Sequence, residues 1–460
     1  MSEETVTATS SRIGWGDLFR HGRGRLTVGI ILVEVLAAIQ TSVVASIMPA
    51  VKNDLGGLEF YGLVFSGYVL AAVAATPLAG RSADRRGPGG PFALMLGVFF
   101  VGTVLAGLST SMLMLAAARI VQGFGAGAQY TIAYGAMAKG YPENARAKML
   151  TLLSAMWIVP GLVGPAFGAL VAGTAGWRWA FLSILPVMAV AAALVIPTFL
   201  RLGGSGTGVP EKLPLRWPIQ LAAGLGLLLW GLSSTGWPAL AAVAGGLVLG
   251  VPAIVRVLPP GTFTARRGLP ATVAVGLLVN LGFFIGFYFL PLLVTDVGHH
   301  SLAEAGIAIS VVNVTWTAGT WYQERIDGRV ARVTQARLGA ALLAAGLLLA
   351  ASPILGVPLP IAYAAWAAGG FGMGMIYNTL YLTAVTGVVG GGETTAVAAL
   401  QVTNRVGIAL GTGLAGAAIA VSANFRVPLA YGLAAAFLLA VFGAAAALSL
   451  AGRMQVAAAR

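Results

Sequence analysis

A chain of 460 residues with 58% hydrophobic and only 9% charged side chains has too little polar surface to cover a water-soluble globule of its size, so its solvent is lipid. The net charge of +13 has the sign of a nucleic-acid footprint, but the arrangement of the basic residues follows membrane topology instead and calls for no nucleic-acid partner. With no cysteine in the sequence, disulfides, thiolate metal sites and thiol nucleophiles are excluded.

Residues 1–26 lack a short apolar core with a cleavage site and read as a cytoplasmic tail, not as a signal peptide. Apolar runs then recur almost without pause, each near the roughly 20 residues a helix needs to cross about 30 Å of hydrocarbon. Barrel strands would be about half that length and would alternate. The runs fall at 27–48, 60–79, 92–112, 113–137, 149–173, 180–200, 217–235, 237–255, 270–294, 302–321, 336–356, 359–385, 394–421 and 428–450. The fold class expected is an all-α membrane protein of about fourteen spans. The 64 glycines and 22 prolines suit closely packed, locally broken membrane helices.

With the N-terminus inside, 22 of the 27 basic residues fall in cytoplasmic segments, Arg81, Arg85 and Arg86 among them, and only Lys52, Arg178 and Arg426 lie outside. Arg119 and Arg405 remain inside spans. This is the positive-inside rule, and it places the protein in the inner membrane with both termini cytoplasmic. Reading 217–255 as one crossing would move the arginine clusters at 256–267 and 325–337 to the outside, so two spans are needed there, turned at Ser233-Ser234-Thr235-Gly236. The segment Gly80-Arg-Ser-Ala-Asp84-Arg85-Arg86-Gly87 after the second span is echoed after the tenth as Glu324-Arg325-Ile326-Asp327-Gly328-Arg329. The chain accordingly divides into an N-terminal six-helix bundle at 27–200, a linker carrying an inserted helix pair at 201–268, a C-terminal six-helix bundle at 269–452 and a tail at 453–460. Internal repeats of this kind place a site at the midplane between two rocking halves.

Glu34 is the one acid deep in any span, roughly 13 Å beyond Arg25 at the helical rise. An acid there costs on the order of 2.5–3.5 kcal/mol on insertion scales and is a functional candidate by default. Desolvation makes both its protonated and ionised forms accessible near neutral pH, as proton coupling requires; the bland alternative is a neutral glutamic acid in a helix contact. Thr41 shares the Glu34 face, while Gln40 points about 120° away. Arg119 and Arg405 cannot escape burial by losing a proton, so each needs an acceptor, with Glu34 or other groups of the first span within the reach of Arg119. Tyr130 and Tyr134 in the fourth span, Asn280, Phe284 and Tyr288 in the ninth, and Tyr377, Asn378 and Tyr381 in the twelfth form aromatic and polar stripes. Such a lining suits flat, hydrophobic, often cationic molecules through stacking and cation–π contacts, although each residue taken singly also fits plain packing. His299 and His300 read as a solvated loop, not as a metal site. No phosphate-cradling loop, nucleophile elbow or hydrolytic acid pair occurs, so neither ATP, a cofactor nor an enzymatic activity is expected.

Read in order, several segments resemble the major facilitator superfamily and its fourteen-span drug:proton antiporters. Gly80 to Gly87 looks like the superfamily's loop signature. Arg119-Ile-Val-Gln122-Gly123 is similar to its fourth-span signature, and Gly164-Pro165-Ala-Phe-Gly168 resembles the antiporter signature of the fifth span. Gly176 to Phe181, Tyr288 to Pro291 and Asn404-Arg405-Val-Gly407 extend the likeness over most of residues 27–450. The resemblance implies proton coupling at Arg119, and conformational gating at Gly80, Asp84, Arg85 and Gly87 and at Gly164, Pro165 and Gly168. It also implies that Asp84 caps the thirteenth span near Thr394 and Thr395. Two departures stand out: Gln40 occupies the place where the family has a first-span aspartate, and Pro160 stands where it has glycine. The function expected is proton-coupled export of small amphipathic molecules or drugs by alternating access, with Glu34 and Arg119 for the proton and Gln40, Thr41, the aromatic stripes and Arg405 for the substrate. Export of a lipid or secondary metabolite is the alternative within transporters; a receptor lacks a signalling domain here, and an intramembrane enzyme lacks a catalytic constellation.

Overall fold

The computed structural model describes residues 15–19, 23–141, 145, 149, 152–153, 156, 158–202, 214–387 and 393–454. Among them the regular structure is entirely helical, and fourteen long helices follow one another. They are α1 (Gly24–Leu55), α2 (Tyr61–Arg86), α3 (Gly89–Gly107), α4 (Met112–Gly140), α5 (Ile158–Thr174), α6 (Trp177–Leu200, broken after Leu182), α7 (Arg216–Ser233), α8 (Trp237–Val257), α9 (Leu269–Leu292), α10 (Leu302–Ile326), α11 (Arg332–Ala350), α12 (Leu359–Thr386), α13 (Glu393–Asn424) and α14 (Leu429–Leu450). Eleven of the described helices are long and apolar enough to cross a membrane; α4, α5 and α7 fall outside that set, α5 because it has only 17 residues.

Several boundaries differ from the sequence expectation, two of them beside expected functional residues. α1 does not end at residue 48 but continues through Pro49 to Leu55, since neighbouring helices make an interior proline tolerable in a membrane bundle. Gly80 to Arg86 is the last part of α2 and not a loop; the helix stops at Gly87, whose φ of +83° is a conformation that glycine adopts freely.

Both halves follow one packing plan. In the first, α2 packs on α4, α4 on α3, α1 on α5 and α6, and α3 on α6; in the second, α10 packs on α12, α12 on α11, α9 on α13 and α14, and α11 on α14. The halves meet along two seams related by the same repeat, α2 with α13 and α5 with α10. The pair α7–α8 turns at Gly236, φ +83°, and stands against the first of these seams. Leu221, Leu225 and Leu229 of α7 cluster with Val69 and Leu70 of α2 and with Val406 and Ala409 of α13, while α8 turns Leu240 and Val248 outward, 73% and 71% exposed.

Lipid tails are as apolar as leucine, so close backbone approach replaces the hydrophobic effect as the force between membrane helices. A Cβ on Gly123 of α4 would lie 2.1 Å from the Tyr68 carbonyl oxygen of α2, and one on Gly374 of α12 would lie 2.0 Å from that of Trp316 in α10. Gly125 and Gly372 face Met95 and Phe99 of α3, and Gly339 and Leu342 of α11, in the same way. Replacing Gly123 by valine should therefore lower stability by about 1–3 kcal/mol through overpacking. Gly97→Ala, where a Cβ meets nothing within 4 Å, should be neutral. Thermal unfolding of the purified protein in detergent compares the two, and equal midpoints would contradict the packing account.

Candidate functional site

The segments Gly123-Phe-Gly-Ala-Gly127 of α4 and Gly370-Phe-Gly-Met-Gly374 of α12 are near copies, and each carries tyrosines at the same two later positions, Tyr130 and Tyr134 in one, Tyr377 and Tyr381 in the other. A spacing of four puts both members of a pair on one helix face. The rings of Tyr130 and Tyr134 stack with centroids 4.3 Å apart, and those of Tyr377 and Tyr381 lie 5.1 Å apart. Tyr377 lies within electrostatic reach of both Tyr130 and Tyr134, so the repeat builds a box of four half-buried tyrosines between the halves. The duplicated glycine motif is the sequence signal for this box.

The box joins several of the residues expected from sequence. Glu34 of α1, only 4% exposed, acts electrostatically on Tyr130 and Tyr134. Arg405 of α13 reaches across the seam: its Nη1 donates to Thr76 Oγ1 at 2.6 Å and to the Ala72 carbonyl at 3.4 Å, both on α2, and its guanidinium lies 5.8 Å from the centre of the Tyr130 ring. Beside it Asn404 accepts from Asn280 Nδ2 at 2.9 Å and donates to Tyr381 OH at 3.1 Å and Tyr377 OH at 3.4 Å.

Other expected residues are placed elsewhere. Asn378, about 100° around α12 from Tyr377, donates to Gln323 Oε1, and Gln323 donates to Gln335 Oε1 at 2.9 Å, so it belongs to a polar knot of α10, α11 and α12 and not to the box. Gln40 is buried to 1% exposure and neither atom of its amide has a hydrogen-bond partner, so in this state it is shut away from any substrate. Thr41 is half-exposed and donates to the Ala37 carbonyl of its own helix at 2.9 Å. Arg119, 3% exposed, finds its contacts in α2 and α4 and not in α1: Nε donates to the Val64 carbonyl at 3.4 Å, Nη1 to Gln122 Oε1, and the guanidinium lies 4.0 Å from the Tyr68 ring centre. Gln122 in turn donates to Thr103 Oγ1 of α3 at 2.9 Å.

Phe284 and Tyr288 belong to an aromatic seal, which the sequence stripes had assigned to the substrate. Phe284 packs on Phe283, Phe287 and Tyr288, while Tyr288 stacks on Phe65 of α2 at 4.1 Å, and Tyr61 meets Phe289 at 5.5 Å. Nearby, Lys52 of α1 forms an ion pair with Asp296, which stands in a π-helical turn after α9. A Cβ on Gly62 would lie 2.4 Å from the Gly416 Cα. At this end of the bundle, the Lys52 end, the halves are therefore closed. Opposite charges at the ends of two spans, and Tyr61 with Phe65 one turn apart, were the available sequence signals. On the second seam Gly306 lies against the Pro165 carbonyl, Asn313 Nδ2 donates to the Gly161 carbonyl at 3.1 Å, and Gly164 and Gly168 face Ser42 and Ser46 of α1.

At the opposite end Asp84 is half-buried, Arg85 is exposed, and Gly80 has Thr131 as its nearest neighbour. The side chains of Thr394 and Thr395, to which Asp84 was matched, lie outside the described residues. In the second half, Asp327 accepts from Arg332 Nε at 3.2 Å, and Arg332 also donates to Thr386 Oγ1 at 2.6 Å. The working cation of the echoed segment is thus Arg332, beyond the echo itself. That hydrogen bond holds the Asp327 carboxyl below the usual carboxylate range, so the pair stays charged at neutral and mildly acidic pH. His300 pairs with Glu304 at 3.1 Å, and Glu304 completes a capping box with Ser301. Among the described residues no three His, Asp or Glu side chains gather as a metal site would require.

Comparison with known proteins places this geometry. The profile described as Major Facilitator Superfamily matches residues 30–412. A probable multidrug-efflux transporter of Mycobacterium tuberculosis is 27% identical over 467 aligned residues, covering 94% of this chain and 95% of the relative. The multidrug transporter protein MdtP of Bacillus subtilis is 25% identical over 78% of this chain and 68% of its own length. Among solved structures, an auto-inhibited POT family peptide transporter superposes with a TM-score of 0.70 at 15% identity, covering 94% of this chain and 98% of that one. A D-xylose–proton symporter gives 0.64 at 14%, covering 92% and 97%.

If the Lys52–Asp296 pair helps to hold the seal, Asp296→Asn should shift the population toward a state open at that end. The sequence has no cysteine, so a single Ser66→Cys serves as reporter: Ser66 is 0% exposed and lies one turn from Gly62 on the seam face. Its maleimide labelling rate should rise several-fold in the Asp296→Asn background, by about the factor that breaking a half-buried pair worth about 1 kcal/mol gives. An unchanged rate would assign closure to the aromatic and glycine contacts alone.

Proposed function

This chain belongs to the major facilitator superfamily, and from that premise we propose that it is a proton-coupled exporter of drugs or similar small amphipathic molecules, working by alternating access. The family makes it a transporter and not an enzyme. The multidrug-efflux role in the names of its relatives supports drugs as the cargo over a lipid or secondary metabolite. The observation that carries the coupling is Glu34, a carboxyl buried in α1 and within electrostatic reach of Tyr130 and Tyr134 of the tyrosine box.

The distribution of arginine and lysine favours the Lys52 end outside, the Asp84 end and both termini in the cytoplasm, and the inner membrane as location. The seal at Lys52, Tyr61 and Phe65 then closes the outward path in this state. With that gate shut, Glu34 exchanges its proton with the inner side; when the gate opens, it is recharged from outside. A membrane potential of about 150 mV is worth about 3.5 kcal/mol per charge, so one proton per cycle sustains a gradient of two to three decades, at about 1.4 kcal/mol each. Gly80, Asp84, Arg85 and Gly87 at the inner end, and Gly164, Pro165 and Gly168 against α1 and α10, serve as gating elements. Arg119 holds α2, α3 and α4 around Tyr68 and so acts on coupling through the walls of the site.

Two measurements in proteoliposomes test this reading. Glu34→Gln keeps size and hydrogen bonding but removes titration, so it should abolish uphill transport and substrate-induced proton release while downhill movement survives. Glu34→Asp should retain partial coupling. Uphill transport by Glu34→Gln at the normal rate and proton stoichiometry would make Glu34 structural. Asp84→Asn should leave substrate affinity within about threefold and cut turnover heavily, because it acts at the gate; a large loss of affinity with normal cycling would contradict the gating assignment.

A further inference from the structure

We propose that the cargo of this site is an amphipathic aromatic anion, anchored by Arg405. This rests on the exporter reading above and narrows its substrate class, with a sign opposite to the cationic cargo that aromatic stripes alone suggest.

The argument starts from the charges at mid-span. Two arginines, Arg119 and Arg405, face a single deep acid, Glu34, so the middle of the bundle is positive whether or not Glu34 is ionised. A guanidinium keeps its proton, and a charge taken from water needs a counter-charge or a full set of acceptors. Arg119 bonds through two nitrogens, Nε to the Val64 carbonyl and Nη1 to Gln122, and the face of Tyr68 at 4.0 Å covers it at 3% exposure. Arg405 bonds through one nitrogen and is less covered. Only its Nη1 is held, by Thr76 and the Ala72 carbonyl, and among the described residues its Nε and Nη2 have no acceptor and no carboxylate pairs with it. The side chain is half-exposed although it lies between the halves, bonded to α2 and above Tyr130 of α4. The anchored Nη1 fixes the guanidinium and leaves its Nε–Nη2 edge without an acceptor among the described residues, and that edge matches a carboxylate or sulfonate as a two-point acceptor.

The surroundings specify the rest of the ligand. Tyr68, Tyr130, Tyr377 and Tyr381 all lie within electrostatic reach of Arg405. The two stacked pairs offer ring faces to a flat molecule, and Asn404 fixes both hydroxyls on the α12 side. An aromatic anion satisfies the open guanidinium edge and covers the rings at once, whereas an aromatic cation meets the same rings beside an uncompensated positive charge. Energetics agree in sign: an inside-negative potential drives anions outward, biasing each charge moved by about fiftyfold per 100 mV, in the same direction as proton entry.

Fluorescein and rhodamine 6G share a xanthene ring system and differ in charge, so the test compares their movement by the full-length protein in proteoliposomes under an imposed proton gradient. Fluorescein should be favoured by about tenfold or more in kcat/KM, the worth of one good charge-assisted contact. Arg405→Gln should erase that preference through KM, and Arg405→Lys, which keeps the charge without the fork, should retain part of it. An inside-negative potential imposed with valinomycin should accelerate fluorescein exit. Should Arg405→Gln fail to fold, the wild-type dye preference and the lysine variant still decide. Movement of rhodamine 6G in preference to fluorescein, or equal movement of both that is indifferent to Arg405→Gln, would overturn the anion assignment and leave the exporter reading standing. If the gradient moves neither dye, the exporter reading falls and this inference with it.

Discussion

Hydrocarbon offers no hydrogen-bond partner, so a polar side chain at mid-span is answered by its own helix backbone, by another helix, or remains unpaired. The structure answers most of them inside one half. Arg119, Gln122 and Thr103 tie α2, α3 and α4 together; Asn280, Asn404, Tyr377 and Tyr381 tie α9, α12 and α13; Gln323, Gln335, Asn378 and Thr379 tie α10, α11 and α12. Such bonds contribute about 0.6 kcal/mol each on average, up to about 2, and together they tie groups of three helices within each half. Across the α2–α13 seam the side-chain bonding at mid-span is Arg405 with Thr76 and Ala72. Stiffness within halves and thin polar bonding between them is the mechanical condition for rocking motion.

Closure at the Lys52 end follows from the same scarcity. It is made mostly of apolar contacts, two glycine backbones, Gly62 and Gly416, and the aromatic rings of Tyr61, Phe65, Tyr288 and Phe289, with one long hydrogen bond from the Tyr61 hydroxyl to the Tyr288 carbonyl at 3.5 Å. Among the described residues one ion pair, Lys52 with Asp296, joins the halves here; it sits at the rim with each side chain 16% exposed, where water can receive both charges when it parts. A mid-span pair of the same kind would have to be desolvated again in every cycle. The inserted hairpin α7–α8 adds apolar packing alongside this seam at α2 and α13, which braces the joint laterally without crossing it with hydrogen bonds.

How far the sequence revealed this depends on which property set each feature. The all-helical membrane class follows from hydropathy, and fourteen helices, eleven of the described ones long and apolar enough to cross a membrane, agree with it. Side-chain destinations were harder because they depend on rotation about each helix axis. Asn378 and Tyr377 are adjacent in sequence yet point to different helices, and Tyr288 lies on the site-facing helix α9 but near its closed end. Arg119 was matched to α1 by reach alone, whereas the nearer carbonyl of Val64 and the Tyr68 ring on α2 hold it. The tyrosine box was legible as a repeat of Gly-Phe-Gly-x-Gly with two tyrosines behind it. The Lys52–Asp296 pair joins residues 244 positions apart and needed the fold to bring them together.

Gln40 shows what the closed state has to outweigh. Its amide is enclosed without partners, an arrangement that costs about 1–3 kcal/mol. That is of the same order as the free-energy differences that separate alternating states, where a shift from 1:99 to 99:1 takes about 5.5 kcal/mol. An acid at position 40 would meet the same enclosure and could remain only in its neutral form. Six residues earlier, about 9 Å along the helix, Glu34 lies instead within electrostatic reach of Tyr130 and Tyr134. The same helix thus carries a buried amide without a hydrogen-bond partner and, nearly two turns earlier, a buried acid within electrostatic reach of the tyrosine box.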